Sequence, residues 1–354
     1  MKIDTNCVRI LAIDLGKFNS VACLLDPHSG EFSHETVATE RSAILALLRR
    51  HPCDRLVIEV GPSAGWIHDL AREQGLEVQV ANPSHEAWRW RARRNKTDRA
   101  DAVMLARMSA MGELPVVHVP DADTRSWRRL IHHRDKIVGR LTAVKNTIRA
   151  TLHQEGMSWP AARSGWTLRS VATLREMASS PGEAVWKTIL ASELRQLELL
   201  GTELETIEEA LQEISASRKE VALLQTIPGV GPRLAEAVVA IVDDPSRFRS
   251  GAEVGAYAGL APRTMQSGAM HRQGGISKRG DGLLRKLLTQ VSWLGLRHNP
   301  WIREVFQRAA RGMKSRRKIA VVAAARRLLV WCWAMLRTGR AWRPPFELSS
   351  VAAA

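Results

Sequence analysis

Val8-Arg9-Ile10-Leu11-Ala12-Ile13-Asp14-Leu15-Gly16-Lys17-Phe18-Asn19-Ser20 is an apolar run that ends in a carboxylate and breaks at a glycine. A second apolar run, Val21 to Leu25, follows at once, and Pro27 to Gly30 turns into a third stretch, Glu31 to Val37. The pattern predicts a buried strand, a tight turn, a returning strand and a third strand beyond it. Asp14 then lies on or near the central strand, where a lone charge is expensive. Another strand has the same ending. Arg55-Leu56-Val57-Ile58-Glu59 closes on a carboxylate, Gly61-Pro62-Ser63 opens a helix through Leu70, and Glu77 to Val80 is a further short strand. Strands alternating with helices predict an α/β fold for this part of the chain.

Two more acids stand at the start of a helix, in Asn95-Lys96-Thr97-Asp98-Arg99-Ala100-Asp101-Ala102, with apolar Val103, Met104, Leu105 and Met108 following. Three residues apart on a helix, Asp98 and Asp101 share a face. Paired anions are stable when solvated, salt-bridged or neutralised by a cation such as Mg2+. An acidic first turn favoured by the helix dipole is the plain alternative. Asp14, Glu59, Asp98 and Asp101, placed at strand ends and a helix start, together point to a metal site.

Composition bounds the partners. The chain of 354 residues is 45% hydrophobic, enough for a sizeable core and about two or three domains. A formal net charge of +16 and a pI of 10.6 argue for a polyanion, of which nucleic acid is the usual one. No apolar run is expected to reach the roughly 20 residues that span a bilayer, and Met1 to Cys7 has no signal-peptide character. Cys7, Cys23, Cys53 and Cys332 form no CxxC pair, so a reduced, cytoplasmic protein is expected, with no membrane partner.

Ahead of the acid pair runs Trp88-Arg89-Trp90-Arg91-Ala92-Arg93-Arg94-Asn95-Lys96. Interleaved aromatic and cationic side chains can stack bases and neutralise phosphates, so Trp88, Arg91, Arg93, Arg94 and Lys96 are candidate nucleic-acid contacts. A solvated basic helix with its tryptophans folded inward is the alternative. After Pro115 and Pro120 the pattern turns to long helices. Asp121 to Gln154 is basic, with Leu130, Ile137, Leu141, Val144, Ile148 and Leu152 at helical spacing, and Glu183 to Ser215 is acidic. They can form an antiparallel pair or a dimerising coiled coil. The stretch between them, Gly156 to Gly182, reads as looser.

The last region opens on Thr226-Ile227-Pro228-Gly229-Val230-Gly231, which reads as a helix-hairpin-helix signature in which Gly229 and Gly231 let backbone N–H groups approach a phosphate, a plain interhelical turn being the alternative. Tyr257-Ala258-Gly259-Leu260-Ala261-Pro262, Gln266-Ser267-Gly268 and Ile276-Ser277-Lys278-Arg279-Gly280 follow, and this glycine-rich stretch reads as a loop that brings backbone, hydroxyls, Lys278 and Arg279 against a phosphate. Closing helices are expected over Asp281 to Arg297, Pro300 to Arg311 and Ser315 to Leu336, the last two carrying a basic track from Arg308 to Lys318.

Taken in order, Asp14, Glu59, the Lys-Thr-Asp-x-x-Asp-Ala stretch, Thr-Ile-Pro-Gly-Val-Gly, Tyr-Ala-Gly-Leu-Ala-Pro, Gln-Ser-Gly and Ile-Ser-Lys-Arg-Gly resemble the DEDD transposases of the IS-one-ten insertion-sequence family over nearly the whole chain. The resemblance implies a RuvC-like, RNase H type domain over residues 1–118, a long-helix or coiled-coil linker over 119–218 and a mainly α transposase domain with a helix-hairpin-helix motif over 219–354. It implies Mg2+ held by Asp14, Glu59, Asp98 and Asp101, and Ser267 as a nucleophile that forms a phosphoserine linkage. It further implies target and donor DNA, a structured bridge RNA as guide, and work on the nucleoid of a prokaryotic cytoplasm; because recombination joins more than one DNA end, a homo-oligomer, dimer or tetramer, is expected.

Three other readings compete. Ile13 to Ser20 also resembles the first phosphate loop of the actin, Hsp70 and sugar-kinase ATPases, but the chain turns helical and basic where their second phosphate loop belongs. A RuvC-type metal-dependent junction nuclease would use the four acids with no covalent intermediate and leave Ser267 idle. A non-catalytic nucleic-acid binder would leave the acids without a purpose. Among other hydroxyls, Tyr257 has small apolar neighbours that suggest packing, and Ser277 can either face a phosphate or cap the helix that starts near Asp281.

Overall fold

The computed structural model describes residues 8–26, 29–82, 97–160, 165–182, 184–267 and 270–344, with backbone alone for 264–267 and 270–273. The chain divides into two compact units, Met1–Arg125 and Ser126–Ala354.

In the first unit the predicted strands form one sheet: β1 (Ile10–Asp14), β2 (Asn19–Leu25), β3 (Phe32–Ala38), β4 (Arg55–Glu59) and β5 (Glu77–Ala81). Their order is β3-β2-β1-β4-β5, with β2 antiparallel to β1 and β3, while β1, β4 and β5 run parallel. Helix α1 (Arg41–Arg50) connects β3 to β4 and α2 (Ala64–Glu73) connects β4 to β5; α3 (Asp98–Ala110) follows. Side chains alternate across a strand, so each buried strand feeds two cores. Leu11, Ile13, Leu56 and Ile58 meet Ile44 and Leu47 of α1 and Ile67 and Leu70 of α2 on one face. Ile10, Ala12 and Val57 meet Leu105, Ala106 and Met108 of α3 on the other. This is why Ile10 to Ile13 is apolar at every position, all four residues being 2% exposed or less.

The second unit is mainly helical. Helix α4 (Ala122–Gln154), α5 (Leu168–Ser179) and α6 (Val185–Ala216) lead to α7 (Lys219–Gln225), α8 (Pro232–Val242) and α9 (Gly251–Tyr257). A hairpin of β6 (Pro262–Ser267) and β7 (Met270–Ile276) precedes α10 (Gly282–His298), α11 (Pro300–Ala310) and α12 (Arg317–Thr338). Val144, Ile148 and Leu152 near the end of α4 share a core with Leu190 and Leu194 near the start of α6, while Ile137 and Leu141 share another with Ile207 and Leu211. The two long helices therefore run antiparallel within one chain. Their opposite charges meet where Arg134 donates to Glu208 at 2.7 Å.

Three expectations are corrected. Residues 156–182 contain α5, whose Leu174 is fully buried in the core with α4 and α6. The glycine-rich stretch read as a loop is a two-stranded antiparallel hairpin. One helix, Lys314–Thr338, is long and apolar enough by composition to cross a bilayer. It is half buried inside the unit, where Ala324, Leu328, Leu329 and Cys332 have no exposed surface.

Candidate active site

The register of the sheet places the first two acids side by side. Ile13 pairs with Ile58 across the parallel strands β1 and β4, and the next residues, Asp14 and Glu59, end those strands. By the alternation along each strand, Asp14 shares a face with Ile10 and Ala12, and Glu59 shares a face with Val57. That is the face packed by α3.

Helix α3 brings the other two acids to the same end. Thr97 caps it, its hydroxyl accepting from the Ala100 N–H at 3.3 Å, and Asp98 and Asp101 fill the first turn, where the helix dipole favours negative charge. Asp101, Ala102, Leu105 and Met108 continue one stripe, of which the last three are buried, Leu105 and Met108 against the sheet. The far end is pinned by Ser109, which donates to Gln79 at 2.8 Å and accepts from Arg55 at 3.4 Å. Arg55 opens β4 and Glu77, its ion-pair partner at 2.9 Å, opens β5. With its C-terminal end held at the start of the strands, α3 has its acidic end at the carboxyl ends of β1 and β4. All four acids thus lie at one end of one face. Among the described residues no three acid, histidine or cysteine side chains close into a metal-holding group.

The second unit holds the other candidates. Ser267 is the last residue of β6 and pairs with Met270 across the turn; its side chain lies outside the described residues. The base of this hairpin joins two of the sequence motifs: the Ser277 N–H donates to the Ala261 carbonyl at 2.9 Å and the Lys278 N–H to that of Gly259 at 3.1 Å. Arg285 ties both motifs together, donating to the carbonyls of Ala258 at 3.1 Å and Gly280 at 3.0 Å. Lys278 and Arg279 are exposed, with Lys278 at a φ of 55°.

Ser277 is not the cap of α10. Asp281 is, accepting from the Leu284 N–H at 2.8 Å, because the helix starts one residue after it. Asp281 also pairs with His132 of α4 at 2.8 Å. Burial works to raise the Asp281 carboxyl, but hydrogen bonds from His132 and the Leu284 N–H hold it below the usual carboxylate range. The same hydrogen bond, donated by His132 to Asp281, raises the pKa of His132 against the opposing effect of burial. This pair has no local signature, since its members are far apart in sequence. Tyr257 packs edge-on to Phe248, ring centres 5.3 Å apart, beneath the Arg247 guanidinium at 4.4 Å.

Gly229 and Gly231 lie in the turn that joins α7 to α8, with Gly231 as the N-terminal cap of α8. The turn is pinned by the buried Asn299, which donates to the Pro228 carbonyl at 3.0 Å. A Cβ at Gly231 would meet nothing within 4 Å, so internal packing does not call for the glycine there. Trp88, Arg91, Arg93, Arg94 and Lys96 lie outside the described residues.

Comparison with known proteins agrees with the motif order. Residues 11–156 match a model of DEDD transposases, and residues 221–307 match one described as transposase of the IS116/IS110/IS902 family. A putative transposase, y4rJ, of Sinorhizobium fredii is 28% identical over 96% of this chain and 94% of its own. The transposase for insertion sequence element IS1111A of Coxiella burnetii is 26% identical over 95% of this chain and 92% of its own. A pilin gene-inverting protein of Moraxella lacunata is 25% identical over 77% of this chain and 74% of its own. With both family models matched in order around the acids and the glycine-rich motifs, the chain belongs to the IS110 family of insertion-sequence transposases.

Proposed function

We propose that this transposase cuts and rejoins DNA at the acid end of its first unit, with Ser267 carrying the strand between the two steps. The observation that carries the reading is the placement of Asp14 and Glu59 at the carboxyl ends of adjacent parallel strands, with Asp98 and Asp101 on the helix packed over the same face. Strand order and direction support a RuvC-like, RNase H type domain. Four carboxylates are a hard oxygen donor set, which in kind suits Mg2+ rather than a softer metal. When bound, the ion supplies charge neutralisation at the phosphate oxygens and a lower pKa for the attacking hydroxyl.

The chain's own residues do the rest. The Ser267 oxygen attacks the scissile phosphorus, an O–P bond forms, and the bond to the departing strand breaks, leaving that strand with a hydroxyl that takes up a proton. A hydroxyl of the new partner strand then attacks the phosphoserine, reseals the backbone and returns the proton to Ser267. The exposed Lys278 and Arg279, together with Gly229 and Gly231 at the start of α8, hold DNA phosphates, the glycines in a helix-hairpin-helix manner. The Trp88 to Lys96 segment binds nucleic acid, a structured guide RNA selects target and donor DNA, and an oligomer brings the ends together. Residues 1–118, 119–218 and 219–354 serve as metal domain, helical linker and transposase domain.

The test is cleavage of element-end DNA in Mg2+ by Asp101→Asn, which removes a charge from a partly exposed side chain and leaves the core intact. Cleavage is expected to disappear while binding persists. Robust cleavage by this variant would refute the acid centre.

A further inference from the structure

The turn that follows Asp14 is fastened from within and presents two side chains outward. The Thr39 hydroxyl donates to the Gly16 carbonyl at 3.0 Å, and the Thr39 N–H donates to that of Phe18 at 2.8 Å. Ser20, fully buried, lies with its hydroxyl 2.7 Å from that of Thr39. At Gly16 the chain folds so tightly that a Cβ would sit 2.0 Å from the Asn19 carbonyl oxygen. The buried Ser20, the half-buried Thr39 and a close backbone approach thus fix residues 16–19, yet Phe18 is 73% exposed, with the Lys17 ammonium 5.0 Å from the centre of its ring.

A lone exposed phenylalanine is ordinary on a protein surface. Here it stands on a rigid turn, four residues beyond Asp14, at the end of the sheet where the acids gather. We infer that Phe18 and Lys17 contact the DNA strand being exchanged, Phe18 stacking on an unpaired base beside the scissile phosphate and Lys17 neutralising a neighbouring phosphate.

Paired bases in a duplex hide their faces, but strand exchange breaks base pairs at the joint and bares a base next to the bond that is cut. An aromatic face accepts any base, and an adjacent ammonium suits the phosphate that comes with it. DNA is the occupant because the bond exchanged at this end is a DNA bond. The inference rests on the acid end being the site of chemistry.

The experiment uses the full-length protein with element-end DNA carrying 2-aminopurine beside the cut, and RNA transcribed from the element's flank. Fluorescence is read in Ca2+ and cleavage in Mg2+. Phe18→Ala should abolish the fluorescence change and slow cleavage roughly 5- to 150-fold at an unchanged melting temperature, as base stacking is worth about 1–3 kcal/mol. Phe18→Trp should restore both, and Lys17→Gln should reduce the slope of log affinity against log salt by about one unit. Wild-type fluorescence and cleavage rate in Phe18→Ala would overturn the inference. So would a Phe18-dependent signal from 2-aminopurine in the RNA with none from the DNA. Asp101→Asn reports separately on the acid centre. Should that variant cleave normally while the DNA signal still depends on Phe18, the acid reading fails and the DNA contact stands.

Discussion

Gly259 and Gly280 lie where two chain segments cross too closely for either to carry a side chain. A Cβ on Gly259 would sit 2.0 Å from the Arg279 carbonyl oxygen, and one on Gly280 would sit 1.9 Å from that of Tyr257. Both have positive φ, 70° and 98°. The Tyr-Ala-Gly-Leu-Ala-Pro and Ser-Lys-Arg-Gly motifs are therefore two sides of one crossing, and that crossing is the base of the hairpin that ends β6 at Ser267.

Gly259→Ala and Gly280→Ala should each destabilise the second unit by roughly 1–3 kcal/mol or more, since the backbone conformation is unfavourable for alanine and the added carbon meets backbone rather than a yielding side chain. Thermal denaturation checks this. An unchanged melting temperature in either variant would show that the segments can separate at little cost.

The His132–Asp281 pair should make stability depend on pH in a defined direction. His132 has a raised pKa, so its contribution is complete below the ordinary histidine value of about 6.5 and is lost as pH rises through the raised one. Asp281 has a lowered pKa, so its contribution is present above the ordinary aspartate value of about 3.9 and is lost as pH falls through the lowered one. Asp135 and Lys136 on α4 also act on His132, in opposite senses. His132 is 41% exposed, so the pair is screened and worth at most about 1 kcal/mol. Denaturant melts of the native protein and His132→Gln should differ most between about pH 4 and 6.5 and converge at alkaline pH. A difference that grows above pH 8 would contradict the pairing.

Binding to nucleic acid should weaken linearly in log salt, as expected of a chain with a net charge of +16. Replacing Arg91, Arg93 and Arg94 together should flatten that slope by up to about three units if each neutralises a phosphate. Titrations over a range of salt concentrations decide the matter, and an unchanged slope would make the segment a solvated face.

Much of this was legible in the sequence where the signal is local. Arg55–Glu59 is a strand with the bounds its apolar centre and terminal carboxylate predict, and α3 begins at Asp98 behind its Thr97 cap. The long helices α4 and α6 fall within a residue or two of expectation because their apolar spacing persists over many turns. Helix α1 was not anticipated: Ile44, Leu47 and Leu48 have helical spacing, but the run is short and flanked by arginines. The β6–β7 hairpin was missed because its glycines suggest a loop, and only the crossing at Gly259 and Gly280 explains two of the glycines around it. Sequence left open whether α4 and α6 pair within one chain, because heptad-like spacing does not name the partner. The nearness of Asp14 to Glu59 depends on strand register, which no local pattern encodes.

In the proposed mechanism Ser267 takes the DNA strand in a reaction that depends on the four acids. The most direct measurement is a denaturing gel of the full-length protein with end-labelled element DNA, flanking RNA and Mg2+. A covalent protein–DNA adduct should appear with the native protein and vanish in Ser267→Ala and in Asp101→Asn, while Tyr257→Phe and Ser277→Ala still form it. An adduct that survives Ser267→Ala, or cleavage that proceeds in that variant with no adduct at all, would contradict the claim, the second result favouring a junction nuclease that uses the acids alone.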